Sequence, residues 1–224
     1  DRHVLAGSAA EMAFVCEPDG GAPSYAVSRR ELFVRSLAAA YVLRHAYSLS
    51  DGQRVALHLP NDERAAVWAL AAQRLGLPYV SIPGGAPSST IAERLLDTGA
   101  SILVACERLR HAAAEALSLC GGGGAVAGLL LPHPLEPEPA PPPLPPKWAR
   151  AEPLLAAATE SLLLPSVAAR TGADSSEKQR SELVAAWIRS TRAGVSVTPV
   201  ESSHALLIQY TSGSTGQPKG IVHT

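Results

Sequence analysis

The feature that most constrains the fold is an alternation, sustained through residues 28–120, of short apolar runs with longer stretches of helical period. Val55, Ala56, Leu57 and Leu59 make an apolar run closed by Pro60 and Asn61, the pattern of a buried strand. Residues 79–82 and 101–105 give two more strands of this kind, with residues 83–87 as a turn. The intervening stretches read as helices. Ser28 and Glu31 form a capping box, in which the Ser28 side chain accepts from the Glu31 N–H and Glu31 reaches back. Leu32, Phe33, Leu37, Ala40 and Tyr41 then recur at helical spacing. Asn61 can cap a second helix through Ala65, Trp68, Ala69, Ala72 and Leu75, with Gly76 where a left-handed residue ends helices. Residues 89–97, with Ile91, Leu95 and Leu96 on one side, and residues 109–119 read as two further helices. Strands separated by helices of this length need crossover connections. They therefore imply parallel β-α-β units, an α/β fold of parallel-sheet layers with flanking helices.

The pattern changes after Cys120. Residues 121–124 are all glycine, and residues 126–131 are compatible with one more strand. Residues 132–146 are dominated by proline, which removes backbone donors and fixes φ, so the stretch must be extended. Its reading is an exposed linker or surface insertion, with a PxxP ligand for a protein partner as the alternative. Residues 147–158 suggest a short helix, 161–180 a loop and 182–188 another helix. Ordered structure is expected to resume at the apolar run 205–210. The expected organisation is an α/β part at 1–120, a Gly/Pro/Ala-rich insertion or linker at 121–200, and a strand with its following loop at 201–224.

Composition removes several function classes. A net charge of −1 gives no electrostatic reason to expect nucleic acid or an anionic membrane, and 4% aromatics supply few stacking platforms. No apolar run reaches the roughly 20 residues that span a bilayer. Cys16, Cys106 and Cys120 are odd in number and lack metal-ligand spacing, so they read as reduced thiols of an intracellular protein, cytoplasmic or within an organelle. His3, His45, His58, His111, His133, His204 and His223 form no cluster, so neither a metal site nor a catalytic histidine is expected. His58, in a strand, reads as a core or sheet-face residue. The chain begins without Met and ends shortly after Gly220, and is expected to be a fragment of a longer protein.

The residues that carry chemistry follow the last apolar run: Tyr210-Thr-Ser-Gly-Ser-Thr-Gly-Gln-Pro-Lys-Gly. Gly213, Gly216 and Gly220 allow positive φ and close approach of backbone to a ligand. Successive N–H groups in such a turn form an anion-binding nest. Thr211, Ser212, Ser214 and Thr215 can donate hydroxyl protons to phosphate oxygen, and Lys219 adds a positive charge. Nothing acidic in the loop repels phosphate. A Walker-type loop is excluded by spacing, since Gly213 and Gly216 are too close and Lys219 is not adjacent to Gly216.

This segment resembles the signature of the AMP-forming adenylate enzymes, which include acyl-CoA synthetases, peptide-synthetase adenylation domains and luciferase-like proteins. Residues 221–224 resemble the continuation seen in acetyl-CoA synthetases, as do the stretches 1–3, 51–61, 72–76, 84–88 and 94–97. The resemblance covers residues 1–120 and 200–224 and implies an incomplete N-terminal domain of such an enzyme. It further implies an acid–thiol ligase that converts acetate or another short-chain carboxylate into acyl-AMP with ATP and Mg²⁺, then transfers the acyl group to coenzyme A. Thr211, Ser212, Gly213, Ser214, Thr215, Gly216 and Lys219 would hold the ATP phosphates, with no catalytic residue and no metal ligand inside the chain, which alone is expected to be inactive. Gly84, Gly85 and Arg110, with Arg108 as second choice, would contact coenzyme A; a solvated helix start is the other reading of the two arginines. The alternatives are an adenylation domain that loads a carrier protein, and a non-catalytic protein that keeps the fold and binds a partner through residues 132–146.

Overall fold

The computed structural model describes residues 4–17, 23–121, 126–132, 143–162, 185, 187–195, 197–211 and 218–224. The chain divides into two compact units. One comprises Asp1–Ser48, Asn61–Leu75 and Leu154–Thr198, the other Leu49–Pro60, Gly76–Pro153 and Pro199–Thr224.

In the first unit β1 (Met12–Cys16) and β2 (Tyr25–Ser28) pair antiparallel, and Ser28 turns the chain into α1 (Arg29–Tyr41). Both halves of the capping box form. Ser28 Oγ accepts from the Glu31 N–H at 3.2 Å, and Glu31 Oε2 accepts from the Ser28 N–H at 2.9 Å. α2 (Glu63–Arg74) packs against α1. Its N-cap is Asp62 rather than the expected Asn61: Asp62 is extended at φ −129° and accepts from the Arg64 N–H at 2.9 Å. Asn61 stands one residue too early to reach the free N–H groups of the first turn.

A polar knot closes this unit. Glu63 is buried; its Oε2 accepts from the Tyr25 hydroxyl and lies 3.7 Å from Cys16 Sγ, while Oε1 lies 4.0 Å from Arg35 Nη1. The knot ties the β1–β2 hairpin to the start of α2. Burial first, and then the Glu63 hydrogen bond, push the Tyr25 phenol well above its ordinary range. On the facing helix surfaces, buried Arg74 donates from Nε to Ser36 Oγ at 3.0 Å and lies 5.0 Å from the Phe33 ring centroid. Burial lowers its pKa to about 10, so it stays charged at neutral pH.

The second unit is built on seven strands: β3 (Val55–His58), β4 (Tyr79–Ile82), β5 (Ile102–Cys106), β6 (Ala127–Leu131), β7 (Trp148–Arg150), β8 (Leu207–Thr211) and β9 (Lys219–His223). Their order is β7-β6-β5-β3-β4-β8-β9, parallel throughout except for the antiparallel β8–β9 pair. Every residue of β3 and β5 is buried, the pattern of parallel strands covered on both faces. α3 (Ser88–Thr98) and α4 (Arg110–Leu119) send Ile91, Leu95, Ala113 and Ala116 into a core with Val80, Ile82, Leu103, Leu130 and Ile208. Each leucine or isoleucine buried there contributes about 1.5–3 kcal/mol. Gly99, at φ +61°, ends α3 as a left-handed cap. Gly76 is likewise left-handed, at φ +66°, just past α2.

The α/β class holds, with four strands that the residue pattern does not announce. Residues 147–158 begin as a strand rather than a helix: Trp148–Arg150 pairs with residues 128–130 of β6, and only then does α5 (Ala151–Ser161) start. Three residues are too few to show a period, so tertiary pairing decides. The β1–β2 hairpin and β9 are also unannounced, and β9 takes in Lys219 and Gly220, which the sequence assigns to the loop. Most of the proline-rich segment, residues 133–142, lies outside the described residues, as do residues 163–184.

Candidate phosphate-binding site

Parallel strands align their C-terminal ends, and the candidate site residues gather at that edge. His58 of β3 is level with Ile82 of β4 and Ala105 of β5, while Cys106 is level with Leu131 of β6. β8 joins in the same direction through the pairs Tyr79–Leu207 and Val80–Ile208. The glycine-rich loop therefore leaves β8 at the carboxyl edge, where ligands bind in open parallel sheets.

The base of the loop is a pair of directly opposed residues, Thr211 and Lys219. Ser212, Gly213, Ser214, Thr215 and Gly216 lie outside the described residues. Directly opposed residues share a sheet face, so the Thr211 hydroxyl and the exposed Lys219 ammonium project together. Tyr210, one residue earlier, takes the opposite face, with Ile208 of the α3-side core. Its ring crosses Gly220, the residue opposite it: a Cβ there would lie 3.3 Å from Tyr210 Cζ. The positive φ that glycine would allow at Gly220 is therefore not used. Its φ is not positive, and a tyrosine ring occupies the space.

The Gly84–Gly85 turn follows β4, closed by the Ala86 N–H donating to Pro83 O at 3.0 Å. Neither glycine has a positive φ. A Cβ on Gly85 would meet nothing within 4 Å, and one on Gly84 would make ordinary contact at 3.5 Å with Leu109. The protein's own packing does not require glycine at either position, so the pair leaves an open backbone surface. Leu109 brings this turn beside the start of α4. There Arg110 Nη1 lies 3.1 Å from Glu107 Oε1, and Arg150 Nη1, carried in by β7, lies 3.5 Å from Glu107 Oε2. Two guanidinium groups share the Glu107 carboxylate, and Arg108 is exposed beside them. Sequence reasoning misses Arg150 because its strand is invisible in the residue pattern.

His58 is fully buried at the same edge, its Nδ1 3.4 Å from Ile82 O and its Nε2 without a hydrogen-bond partner among the described residues. Burial pulls its pKa below the ordinary histidine value, which favours the neutral ring. Among the described residues no group of three or more His, Cys, Asp or Glu could hold a metal ion, and no helix is long and apolar enough to cross a membrane.

A mostly parallel α/β sheet in which β8 runs into this loop defines a class, and the comparisons give the family. The chain belongs to the AMP-binding enzyme family, whose model matches residues 4–224. It is similar to the acetyl-coenzyme A synthetases of Cupriavidus pinatubonensis (29% identical), Paraburkholderia phymatum (30%) and Mycobacterium bovis (30%). Each alignment covers 100% of this chain and 30% of the relative, so the chain spans about a third of the length of these curated proteins.

Proposed function

We propose that this chain forms the pyrophosphate-holding part of an ATP-dependent acid–thiol ligase acting on acetate or another short-chain carboxylate. The observation that carries the reading is the loop's base: Thr211 and Lys219 opposed at the carboxyl edge of a parallel sheet, with no acidic residue between them. In the first half-reaction a carboxylate oxygen attacks the α-phosphorus of ATP. The bond from that phosphorus to the bridging oxygen breaks, giving acyl-AMP and pyrophosphate. Negative charge grows on the departing β,γ-phosphates. The loop's N–H groups, the hydroxyls of Thr211, Ser212, Ser214 and Thr215 and the Lys219 ammonium stabilise that charge, and Gly213 and Gly216 let the backbone approach. Mg²⁺ supplies charge neutralisation on the triphosphate. Among the described residues no group of three or more His, Cys, Asp or Glu would hold it.

In the second half-reaction the coenzyme A thiolate attacks the acyl carbonyl and AMP leaves. The open Gly84–Gly85 turn and the Arg110 guanidinium beside it support coenzyme A binding at that corner. The test is exchange of labelled pyrophosphate into ATP by the complete protein, with a series of carboxylates from acetate upward. Exchange that requires a short carboxylate, with acyl transfer to coenzyme A, supports the reading. Exchange with transfer only to a carrier protein replaces the acceptor, and no exchange with any carboxylate refutes the activity.

A further inference from the structure

The β8–β9 pair stands at the rim of the sheet, and its attachment there is thin. The β4–β8 ladder contains only Tyr79–Leu207 and Val80–Ile208, so it stops short of Tyr210 and Thr211. Every residue of β9 is exposed. Beyond Ile208, sheet pairing holds the loop's two ends to each other but not to the rest of the sheet. Tyr210 supplies the missing attachment. Its ring lies across Gly220, the residue next to Lys219, with Cζ and Cε1 within 3.5 Å of where a Cβ would stand. One side chain thus touches both sides of the loop's base. The same ring is held from α3: its hydroxyl donates to Asp97 Oδ2, and the Arg94 guanidinium sits 4.7 Å from the ring centroid. α3 is itself fixed in the core by Ile91 and Leu95.

We propose that Asp97, acting through the Tyr210 hydroxyl, is a positioning residue that registers the phosphate-binding loop against α3. The inference rests on the reading of the loop as a phosphate site. Asp97 touches no substrate. It fixes Tyr210, Tyr210 fixes Gly220, and together they set where the Thr211 hydroxyl and Lys219 ammonium stand before ligand arrives. Arg94 completes the clamp, since a cation over the ring face adds attraction without competing for the hydroxyl. The phenol stays protonated through neutral pH, because burial first and the Asp97 carboxylate second push its pKa up, outweighing the opposing pull of Arg94.

The experiment uses the full chain with Tyr210→Phe, Asp97→Ala, Asp97→Asn and the Tyr210→Phe/Asp97→Ala double variant. Two quantities are read: amide hydrogen exchange of residues 207–211 and 219–223, and the affinity for magnesium pyrophosphate by titration calorimetry. Losing one charge-assisted hydrogen bond at a half-exposed site should speed exchange and weaken binding about five-fold each. Tyr210→Phe and Asp97→Ala should match, the double variant should add nothing further, and Asp97→Asn, which keeps an acceptor oxygen, should recover most of both losses. Amides of β3 and β5 should stay unchanged, which separates the clamp from general destabilisation. Unchanged exchange in Asp97→Ala overturns the clamp. Faster exchange with unaltered pyrophosphate affinity overturns the positioning role. A wild-type chain that binds no pyrophosphate sinks the phosphate reading, and the positioning role with it, whatever the exchange shows.

Discussion

Gly128→Ala is the sharpest probe of the sheet that carries the site. Gly128 of β6 is directly paired with Trp148 of β7, and the indole lies flat on its α-carbon. A Cβ there would stand 2.2 Å from Trp148 Cδ2, 2.5 Å from Cε2 and 2.6 Å from Cε3. Carbon atoms prefer about 3.5–4.0 Å, so the ring must retreat by roughly 1 Å or more. The half-buried ring is packed against the apolar core. Overpacking of this kind costs about 1–3 kcal/mol, and three ring carbons met at once place the change near the top of that range. For a chain of 224 residues such a loss corresponds to a melting point lower by roughly 5–10 °C. Urea denaturation followed by tryptophan fluorescence measures it. In a Trp148→Leu background the clash is removed, and Gly128→Ala should then cost under about 0.5 kcal/mol. An equal loss in both backgrounds, or none in either, would refute the packing argument. The change also reaches the corner proposed for coenzyme A, because β7 carries Arg150 to Glu107 and Arg110 lies on the same carboxylate.

Three further outcomes follow from the structure. Asp62→Ala should lower stability by about 1 kcal/mol through loss of the α2 cap while Asn61→Ala stays near neutral, and exchanged results would restore the sequence-based cap. Glu63→Ala should cost about 3 kcal/mol in denaturant unfolding, because the Tyr25 hydroxyl and Cys16 thiol lose their shared buried acceptor. Tyr25 is raised in the folded state above its ordinary value of 10.0, so its stabilisation is intact below that pH and is lost as pH climbs toward the higher folded value. A Tyr25→Phe variant should accordingly show a shallower decline of stability above about pH 10, and an unchanged slope would contradict the assignment.

The parts of the fold that were legible in the residues are those with a local cause. The Ser28–Glu31 box, the apolar runs at Val55 and Tyr79 and the left-handed Gly76 each follow from a period or a turn chemistry contained within a few residues. β7 and β9 are different. Trp148, Ala149 and Arg150 are strand only because Gly128 leaves room for the indole, and Lys219 is strand only because Thr211 stands opposite. Both causes lie far away in sequence. The same applies to the candidate site. Its motif is visible in the residues, whereas the Tyr210–Asp97 bond spans 113 positions and the Arg150–Glu107 pair 43. Gly220 adds a cause that the motif does not show, since its lack of a side chain leaves room for the Tyr210 ring.

The central claim is that the Thr211–Lys219 loop binds the pyrophosphate end of ATP, and calorimetric titration of magnesium pyrophosphate into the wild-type and Lys219→Ala chains tests it most directly. Lys219 is exposed, so its removal should leave stability within about 0.5 kcal/mol. Affinity should fall roughly 10–100-fold, the worth of a hydrogen bond to a charged group. Equal affinity in the two chains, at equal stability, would contradict the account.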